Sequence, residues 1–98
     1  MLKKTYGKAG HSCRVTFELS PHLGARNANL CGDFNAWDSA CLPMRKRRDG
    51  GFVVTVSLKP GQQYRFRYLI DDHNWENDWD ADDYVPNAVG GHDSLVIV

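Results

Sequence analysis

The stretch FVVTVSLKPGQQYRFRYLI, residues 52–70, contains two runs in which apolar and polar side chains alternate. A period of two residues is typical of a β-strand that buries one face. The turn sequence KPGQ at 59–62 separates the runs and favours a tight reversal of the chain. The stretch therefore predicts an antiparallel hairpin whose second strand directs Arg65 and Arg67 away from the core. The residues predicted to face the core are Phe52, Val54, Val56, Leu58, Tyr64, Phe66, Tyr68 and Ile70.

The same alternation recurs on both sides of this hairpin. It is found in CRVTFEL (13–19), NANLCGDF (27–34) and SLVIV (94–98), and more weakly in PMRKR (43–47). Short strands that alternate with turns every ten residues or so, about the spacing of small β-domains, indicate an all-β antiparallel sandwich.

The remaining segments define the expected domain organisation. We predict that residues 1–12 form a flexible or loosely attached N-terminal arm and that residues 13–98 form the folded domain. The stretch 76–93 has no clean period, so we expect a long structured loop that returns the chain to the last strand.

The composition limits the classes of partner. Lys and Arg together number 12, as do Asp and Glu, so the formal charge is zero and a nucleic-acid partner is not expected. No segment approaches the roughly 20 apolar residues of a membrane span, and the first residues lack a signal-peptide core. Three cysteines without C-x-x-C spacing suit reduced thiols. We therefore expect a cytoplasmic protein without a membrane partner.

An acidic cluster near the C-terminus resembles the opening of a calcium loop. The pattern D-x-D-x-D at 78–82 has that spacing, but the sixth position is Asp83 instead of Gly and the twelfth is Val89 instead of Glu. The ligand set is therefore incomplete. The cluster is interpreted as a solvated loop whose carboxylates pair with the basic run at 45–48, and no cofactor or metal is expected.

The sequence contains no pattern typical of an active site. Its histidines, at 11, 22, 73 and 92, lack zinc-site spacing, and no nucleophile or phosphate-loop motif is present. A small sandwich also offers little cavity in which a reaction could be shielded from water. We therefore expect that this chain is not an enzyme.

The three tryptophans, Trp37, Trp75 and Trp79, all fall outside the alternating strands and in polar surroundings. Each could pack as a lid on the core or contact a protein partner. Alternatively, an indole face could stack on a pyranose ring, whose C–H bonds form an apolar face, while polar neighbours bind the hydroxyls. The residues alone leave these interpretations open.

In combination, LCGDFNAW, DGGFVVTVSLKPGQQYRFRYLID, NW and PNAVGGHDSLVIV resemble carbohydrate-binding module family 48, the isoamylase N-terminal early-set domain. This family includes the glycogen-binding domain of the AMP-activated protein kinase beta subunit. The match covers about residues 13–98 and is similar in particular to small bacterial stand-alone versions of the domain. The resemblance implies an immunoglobulin-like β-sandwich of about seven strands.

The resemblance also implies a set of site residues. The family's two stacking tryptophans match Trp37 and Trp75, and its basic residue matches Arg67. The apolar residue that contacts the glucose ring matches Val89, and a residue that directs hydroxyls matches Asp93, where the family has an amide. Two further positions depart from the family pattern: Gly91 offers only backbone, and Asp72 replaces a turn glycine. Trp79 has no certain counterpart in the family. It either extends the platform of stacking tryptophans or packs against the loop at 76–86.

The resemblance implies non-catalytic binding of α-glucan: glycogen, a starch-like polymer or maltooligosaccharides. A glycogen-metabolising enzyme is a further partner to consider. The alternative is an interaction module that targets such an enzyme or a regulator, with sugar binding weakened or lost. The catalytic barrel of the family's enzymes would need roughly 250 residues, far more than this sequence contains.

Overall fold

A computed structural model of the protein describes residues 2–7, 9–37, 42–88 and 90–98. Its strands form two antiparallel sheets that pack into an all-β, immunoglobulin-like sandwich. The strands are β1 (Leu2–Tyr6), β2 (Cys13–Leu19), β3 (Ala28–Gly32), β4 (Arg45–Lys46), β5 (Phe52–Leu58), β6 (Gln63–Ile70), β7 (Asn74–Glu76), β8 (Asp83–Pro86) and β9 (His92–Ile97). The first sheet has the order β1-β2-β5-β4, and the second has the order β3-β6-β9-β8 with β7 paired to β6.

The core lies between the sheets and confirms the predicted alternation. The aromatic rings of Phe17 and Phe66 meet edge to face at 5.0 Å, and Phe66 meets Tyr68 in the same way at 5.7 Å. The contact between Phe17 and Phe66 joins β2 of the first sheet to β6 of the second, and the packed rings exclude water from both inner faces. The fully buried core side chains include Cys13, Val15, Phe17, Leu30, Phe52, Phe66, Tyr68 and Val96.

The N-terminal segment differs from the loose arm that the sequence predicted. Strand β1 pairs with β2 along its whole length, from Leu2 opposite Phe17 to Tyr6 opposite Cys13. The segment is therefore an edge strand of the first sheet. Its alternation is weak because most of its side chains remain exposed to solvent.

The segment 76–93 also contains more regular structure than expected. It includes the end of β7 and all of β8, which pairs with β9 from Asp83 opposite Leu95 to Pro86 opposite His92. Both strands are short, and their backbone pairing with neighbouring strands stabilises them where their own sequence pattern is weak.

Strand β6 has two different partners on one of its sides. Its first half, Gln63–Phe66, pairs with β9, and its second half, Tyr68–Ile70, pairs with β7. Strand β3 runs along the opposite side. The outer face of the second sheet therefore carries Arg65 and Arg67 at its centre, with parts of three other strands around them.

The helical segments in the described ranges are single 3-10 turns at Pro21–Leu23 and Asp33–Asn35. Each has three residues, so neither could cross a bilayer.

Candidate functional site

The first part of the site is the turn formed by GDFNAW, residues 32–37, after β3. A Cβ atom at Gly32 would lie 2.5 Å from the carbonyl oxygen of Arg65 and 2.9 Å from the ring of Phe34. Only glycine therefore fits where β3 leaves the sheet. The ring of Phe34 in turn lies 5.9 Å from Phe17 and 6.1 Å from Tyr64, which anchors the turn to the core.

The backbone of this turn is held in an unfavourable conformation. Ala36 and Trp37 both have positive φ angles, 56° and 60°. For non-glycine residues this conformation costs about 1–2 kcal/mol each. Asn35 compensates by accepting a hydrogen bond from the Gly32 N–H at 3.0 Å and donating one to the Leu30 carbonyl at 2.9 Å. The Trp37 N–H donates to the Gly32 carbonyl at 2.9 Å.

The indole of Trp37 is fixed by a carboxylate. Its Nε1–H donates to Oδ1 of Asp33 at 2.9 Å, and Oδ2 of the same carboxylate accepts the Arg65 backbone N–H at 2.9 Å. The side chain remains partly exposed. Asp33 therefore links Trp37 to the central strand and sets the position of the ring.

The second tryptophan lies on β7, a strand where the sequence predicted a loop. Trp75 stands opposite Leu69 of β6 and is 41% exposed. The guanidinium of Arg67 lies 5.7 Å from the centre of the indole ring, a cation–π contact. We call Trp37, Arg67 and Trp75 the aromatic platform.

Arg67 has no hydrogen-bond partner for its buried Nε in the described part of the chain. Its partner across the β3–β6 ladder is Cys31, which is fully buried, so the guanidinium stem lies over apolar sheet surface. A guanidinium that lies beside an indole offers N–H donors to a ligand bound next to that ring.

The turn between β6 and β7 orients Trp75. Asp71 and Asp72 have φ angles of 51° and 66°, so aspartate does occupy the left-handed conformation that the sequence predicted at Asp72. The Asp71 carboxylate accepts backbone N–H groups of Asn27 at 3.1 Å and Arg26 at 2.7 Å. These bonds, with Asn27 the larger contributor, lower the pKa of Asp71 below its ordinary value.

Asp93 lies on β9 but is buried, with 7% of its surface exposed. Its carboxylate accepts a hydrogen bond from Asn87 Nδ2 at 3.2 Å and lies 3.9 Å from the Arg65 guanidinium. Asn87 also accepts the Gly91 N–H at 3.0 Å. The structure thus places Asp93 beneath Asn87 and Arg65, whereas the sequence interpretation had it facing the ligand. Val89, the predicted apolar contact, lies outside the described residues.

Three residues that sequence reasoning left out therefore belong to this region: Asp33, Arg65 and Asn87. Arg65 could have been found, since the alternation puts it on the same outward face as Arg67. Asp33 and Asn87 carry no periodic signal because their roles depend on hydrogen bonds to other strands.

The acidic cluster is in part the solvated loop that was expected, since Asp72, Glu76, Asp80 and Asp83 are exposed, but other carboxylates of the cluster have binding partners within the protein. Asp78 is buried, and Asp82 accepts the Ile97 N–H at 2.7 Å and the Lys4 ammonium at 2.6 Å. Within the described ranges, no three His, Cys, Asp or Glu side chains converge as metal ligands would.

A family model described as the glycogen recognition site of AMP-activated protein kinase matches residues 15–96. The chain belongs to this glycogen-recognition family. The matched range contains every residue of the aromatic platform, and the family assignment agrees with the resemblance inferred from the motifs.

The glycogen-recognition domain is also similar to segments of bacterial branching enzymes. It is 43% identical over 51 residues to 1,4-alpha-glucan branching enzyme GlgB 2 of Rhizobium etli, which covers 50% of this chain and 7% of that enzyme. The GlgB enzymes of Pseudoalteromonas atlantica and Aquifex aeolicus are 39% and 40% identical over 65% and 60% of this chain. The matches span 8% and 9% of those two enzymes, so only a small part of each relative corresponds to this domain.

Proposed function

We propose that this domain binds α-glucan without catalysis, as glycogen, a starch-like polymer or maltooligosaccharides. The observation that carries the proposal is the contact between an exposed Trp75 and the Arg67 guanidinium, together with a Trp37 indole that Asp33 fixes in position. The family match to a glycogen recognition site supports the same ligand class.

In the proposed mechanism, the indoles of Trp37 and Trp75 stack on glucosyl rings of one chain. Stacking removes the apolar C–H face of each ring from water and leaves its hydroxyls at the edge. The guanidinium groups of Arg67 and Arg65 then donate to hydroxyl oxygens. Val89 contacts the ring edge.

We assign Asp93 a supporting role in place of the direct contact expected from the sequence. Its buried carboxylate contacts the Asn87 amide and the Arg65 guanidinium. In the proposal it orients these two groups, and they direct the glucan hydroxyls. A shallow platform desolvates little surface. The affinity is therefore weak, on the order of micromolar to millimolar, or about −4 to −8 kcal/mol.

Isothermal titration with maltoheptaose tests the proposal. Trp37→Ala and Trp75→Ala should each weaken binding at least about tenfold, because each removes one stacked ring. Tyr6→Ala is the matched control, since Tyr6 is an exposed aromatic residue on β1 of the other sheet. Equal heats from the wild type and both tryptophan variants would contradict the assignment of the site.

The second candidate function is an interaction module for a glucan-metabolising enzyme. The observation that favours it is that the similar segments are parts of much longer branching enzymes. In this case a purified branching enzyme would bind the domain stoichiometrically, and excess maltodextrin would leave that complex unchanged. Competition by maltodextrin would instead favour glucan binding.

We further propose that the domain is non-catalytic and cytoplasmic. Cys13 is a free, buried thiol, which suits a reducing compartment. Incubation of the purified chain with glycogen should release no reducing sugar and leave the branching unchanged.

A further inference from the structure

Trp79 does not pack against the 76–86 loop, one of its two expected roles. It is 86% exposed, far more than Trp75. An indole so fully in water loses the hydrophobic gain that normally places tryptophan inside a protein. A single exposed indole needs no explanation by itself, but one beside an apolar cleft with a polar rim is typical of a binding surface.

The loop that carries Trp79 is held by a buried carboxylate. Asp78 is only 2% exposed and accepts the Tyr68 hydroxyl at 2.6 Å, while its own N–H donates to the Ser94 hydroxyl at 2.8 Å. Its Oδ1 also accepts the Asp80 N–H at 2.8 Å. Because the residues on both sides of Trp79 are fixed in this way, the exposure of the indole is built into the fold.

The same loop is fastened to the strand that carries Asp93. The Asn77 amide donates to the His92 carbonyl at 2.8 Å and accepts the Ser94 hydroxyl at 2.8 Å. His92 and Ser94 flank Asp93 on β9. The loop that carries Trp79 is thus tied to β9 on both sides of Asp93.

A cleft lies beside Trp79. It has a volume of about 430 Å³, and its lining includes the 3-10 turn Pro21–Leu23. This volume falls within the range of about 300–1,000 Å³ that small-molecule sites occupy. Leu19 also lines the cleft, as do the exposed residues Glu76 and Asp80.

One further wall of the cleft is an ion pair. Glu18 accepts a hydrogen bond from Arg47 and lies 3.2 Å from the Lys3 ammonium. Partial desolvation would raise the pKa of Glu18, but hydrogen bonds from Arg47 and Lys3 and their charges outweigh it and lower that pKa. The cleft therefore combines apolar walls with carboxylate acceptors and one paired cation, and has no excess of positive charge for a polyanion.

We propose that Trp79 and this cleft bind a further part of the same glucan chain that occupies the aromatic platform. The inference rests on the proposed function, since it names an extension of that site. Trp79 is four residues after Trp75, so their Cα atoms are at most about 14 Å apart. Trp75 lies on the outer face of β7 and its neighbour Glu76 lines the cleft, so a linear oligosaccharide that passes round this edge strand spans the separation with a few further units.

The chemistry of the cleft suits this occupant. A glucosyl ring placed between the indole of Trp79 and the side chains of Pro21 and Leu23 has apolar contacts on both faces. Its hydroxyls can donate to Glu76 and Asp80 at the rim. A second contact on one polymer adds to affinity through a high effective concentration, without any change at the platform.

The dependence of affinity on oligosaccharide length tests the inference. Titration calorimetry is carried out with maltotriose and with longer maltooligosaccharides, on the wild type, Trp79→Ala and Trp79→Phe. We expect the wild type to bind long oligosaccharides about five- to tenfold more tightly than Trp79→Ala does, and both to bind maltotriose equally. Trp79→Phe, which retains an aromatic ring, should recover most of the difference.

The same samples separate this inference from the proposed function. Trp75→Ala should weaken binding at every length, whereas Trp79→Ala should act only on long ligands. Equal binding of wild type and Trp79→Ala at all lengths would overturn the inference and leave the platform intact. A wild type that sediments as a dimer, with Trp79→Ala as a monomer, would also overturn it and assign the cleft to a second copy of the chain.

Discussion

Removal of the Asp33 carboxylate is the most specific perturbation of the proposed site that leaves both tryptophans in place. Asp33 accepts one hydrogen bond from the Trp37 indole and one from the Arg65 backbone, both at 2.9 Å. The turn it supports also contains two left-handed residues, Ala36 and Trp37, which oppose the native conformation by about 2–4 kcal/mol in total. Asp33→Ala therefore removes two of the bonds that balance this cost.

The expected loss of stability follows from these two hydrogen bonds. Hydrogen bonds to a charged group contribute about 1.5–3 kcal/mol each when they are shielded from water, and the exposure of Asp33 reduces each of its two bonds to about 0.5–1 kcal/mol, as for ordinary hydrogen bonds. We expect a stability loss of about 1–2 kcal/mol, which lowers Tm by about 4–16 °C for a domain of this size. Binding of maltoheptaose should weaken at least about tenfold, because Trp37 would no longer be held in one orientation.

Thermal unfolding measures the loss of stability. Titration calorimetry measures binding and is carried out at a temperature where the variant remains folded. Asp83→Ala is the matched control, since it removes another exposed carboxylate from the second sheet. Trp37→Ala sets the full effect of losing the ring. If Asp33→Ala binds maltoheptaose as tightly as the wild type does, the carboxylate does not position Trp37 for stacking and the reasoning is refuted.

Three further predictions concern the fold that supports the site. Gly32→Ala should lower the free energy of unfolding by about 2 kcal/mol or more, because its Cβ would lie 2.5 Å from a backbone carbonyl oxygen. A denaturant titration measures this loss. Unchanged stability would show that β3 and β6 can separate. Tyr68→Phe should cost about 1–3 kcal/mol by the same measurement, because it removes the hydroxyl that donates to buried Asp78, and a neutral effect would mean that this bond contributes nothing net. Acid should destabilise the domain: Glu18 and Asp71 have folded pKa values below their ordinary 4.5 and 3.8, so their contribution is present above those values and is lost as the pH falls through the folded pKa values. Denaturant titrations between pH 6 and about pH 2 should show this decline, and a constant free energy of unfolding would contradict it.

The sequence predicted the central strands well because their burial follows a period of two residues. The alternation in β6 placed Phe66 and Tyr68 in the core and Arg67 outside, as the structure confirms. The weak strand predicted at 43–47 is present as β4, and the strand predicted near the C-terminus is β9.

The short and edge strands could not be predicted in this way. Strand β1 has polar residues on both faces, and β7 and β8 depend on pairing with β6 and β9. Their formation is a tertiary effect that a local pattern does not contain. The same reason explains why Trp75 was expected in a loop.

The residues of the candidate site were likewise predictable only in part. The motif and the alternation together predicted Trp37, Arg67 and Trp75, and the structure brings Trp75 against Arg67. The burial of Asp93 was not predictable, because it depends on the approach of Asn87 and Arg65 from other parts of the chain. Nothing in the sequence pattern indicated that Asp78 would be buried under Tyr68 while its neighbour Trp79 remains exposed.

The central claim is that Trp37 and Trp75 each contact a glucosyl ring of one bound chain. Nuclear magnetic resonance of the domain with maltoheptaose measures this directly, through nuclear Overhauser contacts between sugar protons and the protons of each indole. The account predicts contacts from sugar C–H protons to the rings of both Trp37 and Trp75. Binding of maltoheptaose without contacts to either ring, or no binding in the millimolar range, would contradict it.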